Sequence, residues 1–202
     1  MLRKVVIGAV LFSLLSVAVA CAGQTSTTAP APSSAPTLTT QASVPEAFQE
    51  KEAAITGSAT APGFTGIDVV TNETVSLDQF KGSTILLNFV NYGCSTSLNQ
   101  TVSAQLMVIR DLRKQRDDFI PISIFCGCCP PDVLRQFATQ NGLTWPWILD
   151  TDYSIVNSYY EYLKEHGYPT LIFIDKNQDI NMVTGYCDFF TLGTKIDETS
   201  QF

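Results

Sequence analysis

The sequence has no excess of positive charge. Twelve Lys and Arg stand against 19 Asp and Glu in 202 residues, a formal net charge of −7. A chain of that sign has little with which to neutralise a phosphate backbone, so no nucleic-acid partner is expected. Histidine occurs once, as His166, and a lone imidazole is more often a surface or capping group than a ligand. The N-terminal apolar run VVIGAVLFSLLSVAVA, residues 5–20, has sixteen residues, fewer than the about 20 that a spanning helix needs. No internal repeat is visible. The stretch FVNYGCSTS, 89–97, has the outline of a redox site, yet Ser97 stands where a second cysteine would follow Cys94.

Arg3 and Lys4 precede the apolar run, which closes on small residues before Cys21. This is the pattern of a cleaved targeting signal over 1–20. Its end, Ala18-Val19-Ala20-Cys21, resembles a bacterial lipobox, which implies lipidation of Cys21 and an extracytoplasmic, lipid-anchored chain at the cell membrane, facing the periplasm or the cell exterior. In such a compartment disulfides persist. Residues 22–45 carry no charge and are rich in Ser, Thr and Pro, too poor in apolar surface to offset the cost of ordering. The lipidated cysteine and tether are assigned to 21–60, with a brief helix expected over 46–56, and the folded domain to 61–202.

Within the domain, Val69, Val70 and Val75 flank the turn-like Asn72-Glu73 and suggest an N-terminal hairpin. TILLNFV, 84–90, reads as a buried strand. Leu98, Val102, Leu106, Ile109 and Leu112 recur at helical spacing on one face. IPISIF, 120–125, is the next strand. Residues 131–140 read as a helix with Pro131 in the first turn and Asn141-Gly142 at its end. A helix is expected over 153–164, then a hairpin over 170–186 turning at Lys176-Asn177-Gln178. Strands joined through helices imply parallel pairing, and the final hairpin adds an antiparallel pair. Trp145 and Trp147 read as packing residues.

Four segments carry a likeness to a known group. APGFTGIDVVTNETVSLDQFKGSTILLNF, FVNYGCSTS, WPWILDTD and GYPTLIFID occur in order and at compatible spacing. Together they resemble the thioredoxin-like fold, in particular the membrane-anchored TlpA-type redoxins that merge with the AhpC-TSA-like group. The resemblance implies an α/β protein of three layers, α/β/α, whose central mixed sheet carries an N-terminal hairpin extension. It also implies that Pro169 is a cis-proline facing the active cysteine and that Tyr168 belongs to the same loop. The site departs from the family pattern: Gly93 replaces Trp, Ser97 replaces the second Cys, and Gln100 stands where some members bury an acid.

Cys94, at a strand end and helix start, is where unsatisfied N–H groups favour a thiolate, and it is the expected nucleophile. The resolving role passes either to Cys126 or Cys128, carried to the same rim by a neighbouring parallel strand, or to an external thiol. Ser97 is open to three readings: a helix-capping residue that hydrogen-bonds the Cys94 sulfur, the mark of a monothiol enzyme resolved by an external thiol, or the sign that the internal resolving role has moved. Cys129 and Cys187 are further candidates for a resolving or structural disulfide, including a vicinal Cys128–Cys129 bond or a bridge from either to Cys187. The expected activity is thiol–disulfide exchange with protein or small-molecule thiols and disulfides, with no cofactor and no metal. Alternatives are a thiolate-based Cu or Zn module using FCGCC, Cys94 or Cys187 with His166, a thiol peroxidase, and a redox-inactive binding domain on the same fold.

Overall fold

The computed structural model describes residues 59–91 and 99–202. The leader, Cys21, the tether as far as residue 58 and the expected helix over 46–56 lie outside them, as do Cys94 and Ser97.

The chain order is β1 (Ala59–Thr60), β2 (Thr65–Ile67), β3 (Thr74–Ser76), a 3-10 turn (Leu77–Phe80), β4 (Thr84–Asn91) and α1 (Gln100–Arg113). There follow β5 (Phe119–Cys126), α2 (Pro131–Asn141), β6 (Trp147–Asp150), α3 (Ser154–Ser158), α4 (Tyr160–Leu163), β7 (Thr170–Ile174), β8 (Asp179–Thr184) and α5 (Phe189–Thr199). Six strands form one mixed sheet in the order β1-β8-β7-β4-β5-β6, and β2 pairs with β3 apart from it. Strands β4, β5 and β6 are parallel, and β7 runs antiparallel to β4 and to β8. None of the helices among the described residues is long and apolar enough to cross a membrane.

Alternation along β4 divides the core in two. Leu86 and Val90 face a cluster with Val102, Leu106 and Ile109 of α1, Leu134 and Ala138 of α2, and Leu192 and Ile196 of α5. Ile85, Leu87 and Phe89 face the opposite cluster, with Ile155, Val156, Tyr159 and Leu163 of the α3–α4 segment and Val75 and Leu77 of the hairpin region. A strand apolar on both faces reads as a continuous hydrophobic run, which is why TILLNFV stands out in the sequence.

Local chemistry sets the ends of the helices. The Asn99 side chain accepts from the Thr101 N–H at 2.8 Å and opens α1. Gly142, at φ +63°, closes α2 in the left-handed conformation. The helix expected over 153–164 is broken at Tyr159, whose φ of −104° and ψ of 5° interrupt it. There the ring is fully buried near Phe89 and Phe64, and the hydroxyl donates to the Pro62 carbonyl at 2.7 Å. Core insertion of one large side chain outweighs helix continuity.

The N-terminal hairpin exists, with Asn72 at φ +62° in its turn, but its first strand is Thr65–Ile67 and not the Val69-Val70 segment. Val69 is instead drawn to the sheet edge, its N–H donating to the Trp147 carbonyl at 2.8 Å. Asp68 fastens this junction, accepting from Val70 N–H at 3.0 Å, Trp147 N–H at 3.1 Å and the Thr71 hydroxyl at 2.9 Å. Gly66 is required here, because a Cβ would drive into the Ile148 side chain.

Candidate active site

The sheet register gathers the sequence candidates. Asn91, the last residue of β4, lies opposite Cys126, the last of β5, and Cys126 in turn lies opposite Asp150 of β6. On the other side of β4, Phe89 pairs with Thr170. The loop that precedes Thr170 therefore passes the end of β4, bringing Tyr168 and Pro169 to the same rim. The peptide bond between Tyr168 and Pro169 is cis, as the resemblance implied. Gly167, at φ +69°, turns the chain into this loop, and the Thr170 hydroxyl donates to its carbonyl.

The cysteines of FCGCC occupy three environments. Cys126 is a thiol, 1% exposed, in the cluster on the α3–α4 face. Its Sγ donates to the Val90 carbonyl at 3.1 Å. Gly127, at φ +115°, bends the chain out of the strand, and the exposed Cys128 beyond it is one half of a disulfide. Cys129 is a buried thiol on the opposite face of the sheet, with Sγ 3.5 Å from the Pro130 carbonyl.

Cys187 lies beyond the end of β8, in the connection to α5, not at the end of a strand. It is a buried thiol in the same cluster as Cys129, and its N–H donates to Gln105 Oε1 at 2.8 Å. Since Cys129 and Cys187 carry thiols, neither the vicinal Cys128–Cys129 bond nor a bridge from either to Cys187 is formed in this structure. Gln100, aligned with a position that some relatives bury, is exposed in the first turn of α1. The buried amide in this helix is that of Gln105.

Electrostatics separate Cys126 from a reactive thiol. Burial pushes it up, a Tyr168 hydrogen bond pulls it down, and the neighbouring Asp150 pushes it up again. Burial also raises Tyr168, with the Cys126 interaction acting in the same direction. Asp150, 3% exposed, is raised by burial against the pull of the Val156 and Ile155 N–H groups. The Val156 N–H donates to Asp150 at 2.8 Å, so this carboxylate anchors the start of α3. Asp150 had no distinctive sequence signature, because an Asp following an apolar run also reads as a turn residue.

Beside the cis-proline loop opens a groove of about 730 Å³, bordered by Glu165, His166, Tyr168 and Pro169 on one side and Tyr186 and Lys195 on the other. Helix α5 contributes Thr191 and Lys195 to that lining. Its signal was legible in Asp188, which accepts from the Phe190 and Thr191 N–H groups, followed by Leu192 and Ile196 at helical spacing. Among the described residues no group of three or more His, Cys, Asp or Glu side chains could hold a metal ion.

A mixed sheet between two helical layers, a cis-proline loop and a cysteine-bearing rim define a redoxin of thioredoxin-like fold. The AhpC/TSA family matches residues 58–183, more than half of the chain, and the protein belongs to that family. The sequence is similar in fold to a thiol:disulfide interchange protein of the thioredoxin family from Chlorobium tepidum TLS. That likeness has a TM-score of 0.61 at 16% identity and covers 71% of this chain and 97% of the other. A DsbF homologue from Corynebacterium diphtheriae superposes with a TM-score of 0.63 at 18% identity, over 77% of this chain and 96% of its own. A candidate thioredoxin from Neisseria meningitidis reaches 26% identity with a TM-score of 0.55, over 71% of this chain and 91% of its own. No curated protein sequence matches.

Proposed function

We propose that this protein is a thiol–disulfide oxidoreductase in which Cys94 and Cys128 form the exchanging pair, held outside the cytoplasm by a lipid on Cys21. The observation that carries the reading is the disulfide at Cys128. With Cys126, Cys129 and Cys187 present as thiols, its partner is sought in Cys94 or Cys21. Chain reach favours Cys94. The ends of β4 and β5 are paired at Asn91 and Cys126, so two residues on one side and one on the other separate the paired ends from the two cysteines. Adjacent strands lie about 4.8 Å apart, and a disulfide needs Cα atoms roughly 4.4 to 6.8 Å apart. Ser97 in the usual second-cysteine position then reflects a transplanted partner.

Acting as a reductase, the Cys94 thiolate attacks one sulfur of a substrate disulfide. A mixed disulfide forms, and the released substrate thiolate takes up a proton. Cys128, as thiolate, attacks the Cys94 sulfur, closes the internal disulfide and releases the second substrate thiol. Two electrons pass to the substrate, and the reverse sequence oxidises a substrate dithiol. The groove next to Pro169 receives the chain that carries the substrate sulfur.

Peptide mapping of the air-oxidised protein tests the pairing. A Cys94–Cys128 linked peptide is expected, with Cys94→Ser leaving Cys128 alkylatable. Mapping that finds Cys94 as a thiol in the oxidised protein ends the transplanted-partner reading. Palmitate labelling lost in Cys21→Ser checks the anchor.

A further inference from the structure

Gln105 interrupts an apolar face. Its neighbours on α1, Val102, Leu106 and Ile109, fill the core cluster under that helix, and its own side chain is fully buried. The amide Oε1 accepts from the Cys187 N–H at 2.8 Å, while Nε2 is buried without a hydrogen-bond partner. An unmade donor in the interior costs stability, and a leucine here would pack without that penalty. What the amide provides is one bond between two segments far apart in sequence. Thr101, one turn before Gln105 on the same side of α1, lines the groove beside Pro169, and so does Tyr186, the residue before Cys187. The bond from Gln105 to Cys187 therefore joins two parts of the groove lining from the buried side.

We infer that Gln105 is a positioning residue: by holding the Cys187 N–H it fixes the connection from β8 to α5 against α1, and so sets the spacing of Thr101 and Tyr186 in the groove. The inference rests on the exchange reading, in which this groove receives the polypeptide that carries the substrate sulfur. A groove of set width favours an extended chain, which has to lie along these walls. It does less for a small disulfide, which needs no groove to meet a thiol. Gln105 thus tunes the choice of substrate while touching neither the substrate nor a reacting sulfur.

Three variants test it. Gln105→Leu removes the acceptor, Gln105→Glu keeps one, and Tyr186→Ala removes part of the wall. In Gln105→Leu the Cys187 amide should exchange with deuterated solvent at least roughly tenfold faster, with the β4 amides unchanged as the sign that the fold is kept. An unchanged Cys187 rate overturns the inference. The ratio of kcat/KM for a disulfide-bridged peptide to that for 2-hydroxyethyl disulfide should fall roughly tenfold in Gln105→Leu, through KM more than kcat, and Gln105→Glu should restore most of it. An unchanged ratio, or equal losses on both substrates, overturns the inference. Adding Gln105→Leu to Tyr186→Ala should lower the ratio little further, because the bond acts through that wall, and fully additive losses also overturn it. Binding of the same peptide with both cysteines replaced by serine needs no turnover. Its affinity should fall several-fold in Gln105→Leu, and a wild type that does not bind it, or a variant that binds it equally, refutes the positioning role. If the wild type binds this peptide yet reduces neither disulfide, the exchange reading fails while the affinities still decide the role of Gln105.

Discussion

Strand β5 ends at Cys126, enclosed between the sheet and the α3–α4 layer, whereas the bend two residues further on carries the exposed, disulfide-bonded Cys128. Both residues belong to one motif, FCGCC, and in the sequence they are equal candidates. The backbone divides them. As long as the ladder continues, a side chain is committed to a face of the sheet, and Cys126 falls on a face filled by Ile122, Ile124 and Phe89. Once Gly127 leaves the ladder at φ +115°, the next side chain is released to the rim. Cysteine chemistry here follows from where the strand stops and not from spacing within the motif.

The strongest challenge to this contrast is catalytic. Cys128→Ser is expected to lower disulfide reduction about 100-fold or more, while Cys126→Ser keeps most of the activity with a small disulfide. Equal losses in steady-state assays would erase the distinction. A finer probe is alkylation of the reduced, folded protein followed by mass spectrometry. Cys128 should react at least roughly tenfold faster than Cys126, which is shielded and raised by burial. The Cys126 rate should continue to climb with pH beyond the value at which an ordinary thiol has ionised.

The smallest effect sharpens the environment of Cys126. Burial raises Asp150, so in the interval between its ordinary and raised values the folded protein holds a proton that the unfolded chain has lost. The associated stability is present on the acid side and is lost as pH rises through the raised value. Asp150→Asn keeps an oxygen for the Val156 N–H and has no charge to bury. Relative to wild type, its Tm should rise by about 2 °C from pH 4 to pH 7, read by calorimetry. A relative Tm that falls over that range would show that the ionised carboxylate is favoured in this setting.

The fold was legible where one force dominated. TILLNFV and IPISIF are apolar on both faces, and both became central strands close to the expected bounds. Pro131 and Gly142 bracketed α2 because proline and left-handed glycine act through the local backbone alone. Features decided by tertiary contact were harder. Tyr159 splits a helix because its ring is needed in the core, and Val69 leaves the hairpin for the edge of β6. Helix α5 was overlooked although Asp188 announces it, since the aromatic pair Phe189-Phe190 continues the extended look of the preceding segment. At the site, the order of segments already implied the cis-proline and the meeting of the two strand ends. The choice among Cys126, Cys128 and Cys129 was not legible, because it depends on the residue at which a ladder ends and on which layer lies behind each face.

Strands β4 and β7 are buried from Thr84 to Val90 and from Thr170 to Ile174, with both flanks covered. Their amide protons should be among the slowest in the molecule to exchange with deuterated solvent, whichever redox state the rim adopts. The sheet below the rim is then a platform that does not breathe.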